Sequence, residues 1–249
     1  MQKYGLIGKQ LKHSFSCNFF NDKFKTEDID AEYVNFEIPR IEDVRSIIEG
    51  NPNLCGLNVT IPYKEQIIPY LDDLDDDAKN IGAVNVIKII RQKGKVKLVG
   101  YNSDIIGFRQ SIEPLLEPYH THALILGMGG AAKAVYHGLK KFSDRIKEIR
   151  FVSRTPGKDL LTYTDIRTKV IKEYTLIVNC TPVGMYPNVD ECPDIPYDKL
   201  TPRHLLYDLL YNPNNTLFMK KGEARGATTK NGLEMLLLQA FAAWEIWNK

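Results

Sequence analysis

The stretch GLNVTIPYKE at residues 56–65 closes an apolar strand pattern with a proline and sets a lysine just beyond it. Val59 and Ile61 favour extended backbone, Asn58 and Thr60 interleave polar groups, and Pro62 fixes φ and removes a donor. A lysine held at such a strand end can give its ammonium proton to an oxygen on which charge is building, and as the neutral amine can take it back. From its surroundings alone, Lys64 reads first as one solvated lysine among many.

A second chemistry is written in HALILGMGGAAKAVYHGLKKF, residues 122–142. Leu124, Ile125 and Leu126 lead into Gly127, Met128, Gly129, Gly130, Ala131 and Ala132, a G-x-G-x-x-A string, and Ala134, Val135 and Leu139 then follow helical spacing. Gly127 permits a tight turn, Gly129 lets backbone approach a pyrophosphate, and Ala132 keeps the helix close to the sheet. The exposed N–H groups at the helix start bind the anion. The competing reading is a glycine-rich structural turn. Past the next strand pattern, EIRFVS, an NAD site usually carries an acidic residue for the ribose hydroxyls. Here stand Ser153, Arg154, Thr155 and then Lys158, cationic donors suited to a 2′-phosphate, so NADP is expected over NAD. Asp159 is the one residue that argues the other way.

These motifs need elements to hold them. KYGLIG, YVNFEI and CGLNV read as strands, with IEDVRSIIEG and a segment from about Tyr63 to Leu71 as helices. That β-α-β-α-β-α order predicts a mostly parallel sheet covered by helices. The acidic run DDLDDDAK reads as a solvated turn and helix start, since Asp caps N–H groups. AVNVIKII and KVKLVG, joined through RQKG, form a hairpin signal. SDIIGFRQSIEPLL reads as a helix, after which ALILG opens a new α/β unit. The last helix places Leu233, Leu236, Leu237, Ala240, Phe241 and Trp244 at helical spacing, an apolar surface that something must cover.

Across its 249 residues the chain carries 33 basic and 31 acidic residues, a formal charge of +2. No strongly basic face for nucleic acid is indicated, and no apolar run approaches a membrane span. A cytoplasmic location is the expectation. The four cysteines are scattered and read as reduced thiols, and His120 and His122 lack the further ligands a zinc site uses, so no metal is expected.

Taken in order, the motifs give a chain that resembles the shikimate dehydrogenase family, NADP-dependent reductases of 3-dehydroshikimate, from the first strand to the last helix. HSFS matches the family's opening serine motif, which implies Ser14 and Ser16 as hydroxyls for the substrate carboxylate. NVTIPYK matches its NVTxPxK motif, implying Asn58 and Thr60 as substrate contacts and Lys64 as the catalytic lysine. GAVN brings Asn85, and GYNSDIIG brings Asp104 as the catalytic partner of Lys64. GMGGAAKA matches the phosphate loop with Gly127, Gly129, Gly130 and Ala131, and SRT stands for the usual NRT. NCTPVGM is similar to the loop beside the nicotinamide, giving Thr181 and Met185, although Asn179 and Thr181 also read as an ordinary turn after a strand. DLLYNPNNT supplies Tyr211 and NGLEMLLLQA supplies Gln239 as substrate contacts. The chain departs from the family at Cys17, at Phe20 where a histidine precedes the Asn, at Val86 and at Glu234.

The resemblance implies two α/β domains. Residues 1–103, with a final helix in 229–249 packing back on them, would hold the substrate, and a Rossmann-type domain at 104–228 would hold NADP. The implied activity is reversible reduction of 3-dehydroshikimate by NADPH in a monomer or homodimer. The rival expectations are an NAD-preferring quinate/shikimate dehydrogenase and a dinucleotide-binding protein without turnover.

Overall fold

The computed structural model describes residues 1–249 except Lys12, His13 and Thr168. By internal contacts the chain divides into two units, Met1–Ser103 with Ala240–Lys249, and Asp104–Gln239.

In the first unit, β1 (Gln2–Gly8), α1 (Phe15–Thr26), β2 (Ala31–Glu37), α2 (Val44–Gly50), β3 (Leu54–Val59) and α3 (Tyr63–Gln66) alternate strand and helix. They are followed by β4 (Asp73–Leu74), α4 (Asp76–Ile81), β5 (Val86–Gln92) and β6 (Lys95–Tyr101). The sheet order is β2-β1-β3-β5-β6-β4. β1 pairs parallel to β2 and β3, as the alternating pattern predicts, and β5 pairs antiparallel to both β3 and β6. The hairpin makes the sheet mixed. Its two-residue turn, Lys93 and Gly94, has positive φ at both positions, the twist that suits a tight hairpin. Asp75 accepts from the Ala78 N–H at 2.8 Å and caps α4, so the acidic run serves as a helix start.

Both faces of this sheet are covered. Ile7, Leu57, Val59 and Ile87 join Val44, Ile48, Tyr63 and Ile67 in one core. Tyr4, Leu6 and Val86 join Phe20, Phe24, Tyr33 and Trp247 in the other. The alternation of Leu6 and Ile7 between two buried faces explains the near-continuous apolar runs of β1 and β3. Trp247 Nε1 donates to the Ile87 carbonyl at 3.1 Å. It lies over Gly56, where a Cβ would come within 2.3 Å of that nitrogen.

The second unit begins with α5 (Asp104–Ile112) and continues through β7 (His122–Leu126), α6 (Gly130–Lys140), β8 (Glu148–Ser153), β9 (Leu160–Thr162) and α7 (Lys169–Glu173). β10 (Leu176–Asn179), β11 (Leu205–Asp208), α8 (Leu217–Glu223), β12 (Thr228–Lys230) and α9 (Leu233–Asn248) complete the chain. All pairings here are parallel, in the order β12-β11-β10-β7-β8-β9. The chain winds outward from β7 in one direction, then restarts at β10 in the other. The switch point therefore lies between the carboxyl ends of β7 and β10, where doubly wound sheets bind nucleotides. Ala123 and Ile125 face a core with Phe108, Val135 and Leu139, and Leu124 and Leu126 face one with Ile171 and Phe218.

Two helical expectations shorten. The helix from Tyr63 gives way to a 3-10 turn at Ile68–Tyr70, because Pro69 lacks the N–H that would continue it. α5 likewise ends at Ile112 and a 3-10 turn at Glu113–Leu115 follows around Pro114. β4 and β9 were not foreseen, being too short to carry a pattern.

Candidate active site

In the first unit, β3 and the turn after it carry most of the candidate groups. Asn58, the second-last residue of β3, is 6% exposed and its amide is held on both sides. The Tyr33 phenol donates to Oδ1 at 2.8 Å, and Nδ2 donates to the Asn85 carbonyl at 3.2 Å. Burial pushes the Tyr33 phenol well above its ordinary pKa, which keeps it a neutral donor, and Ser16 on the first turn of α1 interacts with the same hydroxyl. Asn85 is fixed in turn: its Oδ1 accepts from the Ser103 N–H at 2.7 Å, and Nδ2 donates to Ser103 Oγ at 3.1 Å. Ser14 is the N-cap of α1, accepting from the Cys17 N–H at 3.2 Å, which leaves its own O–H to donate elsewhere. The Thr60 N–H bonds to the Ile7 carbonyl at 3.0 Å, and the Thr60 carbonyl accepts from Tyr63, which starts the turn bearing Lys64. Lys64 is half-buried, and its carbonyl takes the Val84 N–H at 2.7 Å, tying α3 to the residue before Asn85.

Asp104 and Gln239 belong to the second unit and are both buried, at 8% exposure. α5 and the start of α9 pack directly because Gly107 has no side chain: a Cβ there would meet the Met235 carbonyl at 2.5 Å and the Gln239 nitrogen at 2.9 Å. Asp104 stands one turn before that crossing. Lys64 and Asp104 thus sit in different units, each at the start of a helix.

At the switch point, Gly127 has φ +105, a conformation few side chains tolerate, and its N–H bonds to the Val152 carbonyl. Gly129 is the N-cap of α6 and supplies no side-chain cap, so the first helical N–H groups, from Gly130 and Ala131 onward, keep their donor capacity. A Cβ on Gly129 would have nothing within 4 Å, so the backbone there is open to a ligand. Ala132 is fully buried against the core beneath. At the end of β8, Ser153 Oγ accepts from the Thr155 N–H at 3.1 Å and shapes the turn, and Arg154, Thr155 and Lys158 are exposed on it. An uncapped helix start over an open glycine, with a cationic loop one strand away, suits a dinucleotide carrying an extra phosphate.

Beyond β10, Asn179 Oδ1 accepts from both the N–H and the hydroxyl of Thr181, at 3.1 and 2.7 Å. That hydroxyl also accepts from the Val183 N–H at 3.3 Å. Thr181 turns its methyl toward Gly127, so its hydroxyl braces the loop. Met128, Met185 and Tyr211 are exposed. Sequence reasoning passed over Tyr33, Ser103 and Asp208, which orient Asn58, Asn85 and Asn179; their partners lie far along the chain, and no local pattern marks them.

His120, His122 and His204 have structural partners. His120 is buried, its Nδ1 accepts from the Glu117 N–H, and Nε2 faces the Arg203 carbonyl; burial lowers its pKa and keeps it neutral. Among the described residues no group of three or more His, Cys, Asp or Glu is placed to hold a metal.

Residues 6–87 match the family model for the shikimate dehydrogenase substrate binding domain. A shikimate dehydrogenase (NADP(+)) from Desulforamulus reducens is 37% identical over 99% of this chain and 89% of its own length. The crystal structure of shikimate dehydrogenase from Aquifex aeolicus superposes with TM-score 0.84 at 36% identity, covering all of this chain and 92% of that one. Shikimate 5-dehydrogenase from Thermus thermophilus, solved in complex with NADP(H) and shikimate, superposes with TM-score 0.84 at 27% identity, covering 99% and 93%. Likeness at that level over the whole chain, joined to a nucleotide-type switch point and an NVTIPYK strand end, fixes the assignment: the chain belongs to the shikimate dehydrogenase family.

Proposed function

We propose that the protein catalyses the reversible NADPH-dependent reduction of 3-dehydroshikimate to shikimate, with Lys64 as proton donor and acceptor and Asp104 as its partner. The observation that carries the reading is the 37% identity to a shikimate dehydrogenase (NADP(+)) along 99% of the chain.

When bound, the reduced nicotinamide supplies a hydride to the carbonyl carbon. In the reductive direction the Lys64 ammonium stabilises charge on the carbonyl oxygen and delivers the proton, and in the oxidative direction the neutral amine accepts it. Asp104 orients the ammonium through a charge-assisted hydrogen bond. Gly129, Gly130 and Ala131 would hold the pyrophosphate through backbone N–H groups, with Gly127, whose own N–H is bonded to the Val152 carbonyl, shaping the turn, and Arg154, with Thr155 and Lys158, would hold the 2′-phosphate. The first unit binds the substrate: the free O–H of Ser14 with Ser16 takes the carboxylate, and Asn58, Thr60, Asn85, Tyr211 and Gln239 take the ring hydroxyls. Groups so fixed reject an analogue lacking a hydroxyl, because each would be left unpaired. The four cysteines are free thiols, which accords with a cytoplasmic setting.

The test is absorbance at the reduced-nicotinamide band with shikimate or quinate crossed against NADP+ or NAD+. The expected result is the highest kcat/KM for shikimate with NADP+. A clear preference for NAD+ overturns the cofactor assignment, and cofactor binding without oxidation of either acid overturns the enzymatic reading.

A further inference from the structure

Asp208 ends β11 as a carboxylate with no exposure to solvent. Placing a charge there is costly unless it is fully paired. Oδ1 accepts from the Asn179 amide at 3.0 Å and from the Leu210 N–H at 3.1 Å, and Oδ2 accepts from the Thr216 hydroxyl at 2.6 Å. Asn179 and Thr216 are also fully buried. All three partners donate to the group as placed, so the ionised carboxylate satisfies them together, and only Thr216, a hydroxyl, is able to accept instead.

This one-way demand determines which way Asn179 points. Asn179 lies opposite Asp208 in the β10–β11 register, and a carboxylate can only accept, so the amide must turn its N–H₂ inward. Its Oδ1 then faces outward and takes both Thr181 donors. Flipping the amide would set oxygen against carboxylate and N–H₂ against the Thr181 N–H. The Cys180 N–H bonds to the Leu126 carbonyl, and Thr181 Cγ2 would lie 3.1 Å from a Cβ on Gly127, so the braced turn sits against the glycine that opens the phosphate loop.

We infer that Asp208 is a positioning residue for the cofactor loop: through Asn179 it fixes the turn at Thr181, and with it the path of residues 181–185 beside Gly127. This rests on the function proposed above and adds to it a group that touches neither substrate nor cofactor. Thr216 and Leu210 anchor the carboxylate from the segment carrying Tyr211, so a single buried anion braces the loops after both β10 and β11.

The test is Asp208→Asn, which keeps the shape and turns one acceptor into a donor facing donors. KM for NADP+ and the NADPH dissociation constant, read by cofactor fluorescence, are expected to rise roughly tenfold, the scale of one unsatisfied buried polar group. In a Thr181→Val background the same substitution is expected to add little, because the chain it acts through is already cut. Ile171→Val, in the core on one face of the same sheet, controls for lost stability. Unchanged cofactor affinity in D208N, an equal rise in both backgrounds, or a rise of the same size in I171V at matched loss of Tm overturns the inference. Should D208N fail to fold, Asn179→Ala removes the middle link, and unchanged cofactor affinity there overturns it as well. A parent protein that does not oxidise shikimate with NADP+ sinks the functional reading and this inference together; an active parent with an unaffected D208N sinks only this one.

Discussion

Lys64 is set in the single helical turn that Pro62 and the Thr60 carbonyl begin, half-buried rather than free in solvent. Lys64→Ala is expected to lower kcat by about 10³-fold, within the range of general acid–base catalysis, with the NADPH dissociation constant changed less than about twofold. Full turnover in that variant, measured under saturating substrates, removes Lys64 as the proton donor. Arg154→Ala is expected to weaken NADPH by roughly tenfold more than NADH, since only the former offers a 2′-phosphate. Equal losses in parallel titrations exclude the phosphate clamp. Asp208 adds a prediction about pH. Burial raises its pKa from 3.8 to about 6, against the opposing pull of its Thr216, Leu210 and Asn179 bonds. A folded value above the unfolded one means the folded state binds this proton more tightly. The associated stabilisation is complete below about pH 4 and lost as pH rises through about 6, on the order of 3 kcal/mol. Its titratable neighbours Cys180 and Tyr197 are both pushed upward and stay neutral in that window. Urea unfolding of the parent and D208N at about pH 4.5 and about pH 7.5 should show the parent losing ground relative to the variant as pH rises. The same difference at both pH values refutes it.

Strand and helix placement shows what a local pattern can and cannot carry. β1, β3, β7 and β10 are apolar runs bounded by Gly, Pro or Asn, and their register follows from which side chains must be buried. The G-x-G-x-x-A string between β7 and α6 was legible because each glycine has a backbone reason, visible now in the positive φ of Gly127 and the open space over Gly129. β4 and β9 were not legible, since edges of two and three residues show no period. The hydrogen bonds that orient Asn58 and Asn179 were hidden for a different reason: Tyr33 and Asp208 reach them across strands, and sequence separation conceals such pairs. Gly56 is a further case, an unremarked residue in CGLNV that makes room for Trp247. Gly56→Ala is expected to cost about 1–3 kcal/mol, the usual range for overpacking a filled core. An unchanged urea midpoint would show that α9 can shift away from β3 without penalty.

At the scale of the whole molecule, α9 belongs to both units: Leu233–Gln239 count with the second and Ala240–Asn248 with the first. Ala240, Ala243 and Trp247 share a core with Tyr4, Phe20, Phe24 and Tyr33, and the Trp247 ring lies 4.8 Å from that of Tyr4. Ending the chain after Gln239 is therefore expected to uncover one face of the first sheet while leaving the second unit's cores whole. Hydrogen exchange on the shortened chain should show β1 and β3 losing protection and β7 and β10 keeping it; protected β1 and β3 would contradict the assignment of that face to α9. The same arrangement orders events during synthesis. β1 and β3 are made before the residues of α9 that cover one face of their sheet, so the second unit has all its pieces earlier than the first, which precedes it along the chain. Until Trp247 is made, Tyr4 and Phe20 stand without the indole that covers them, and the growing chain carries that aromatic surface exposed throughout the synthesis of the second unit.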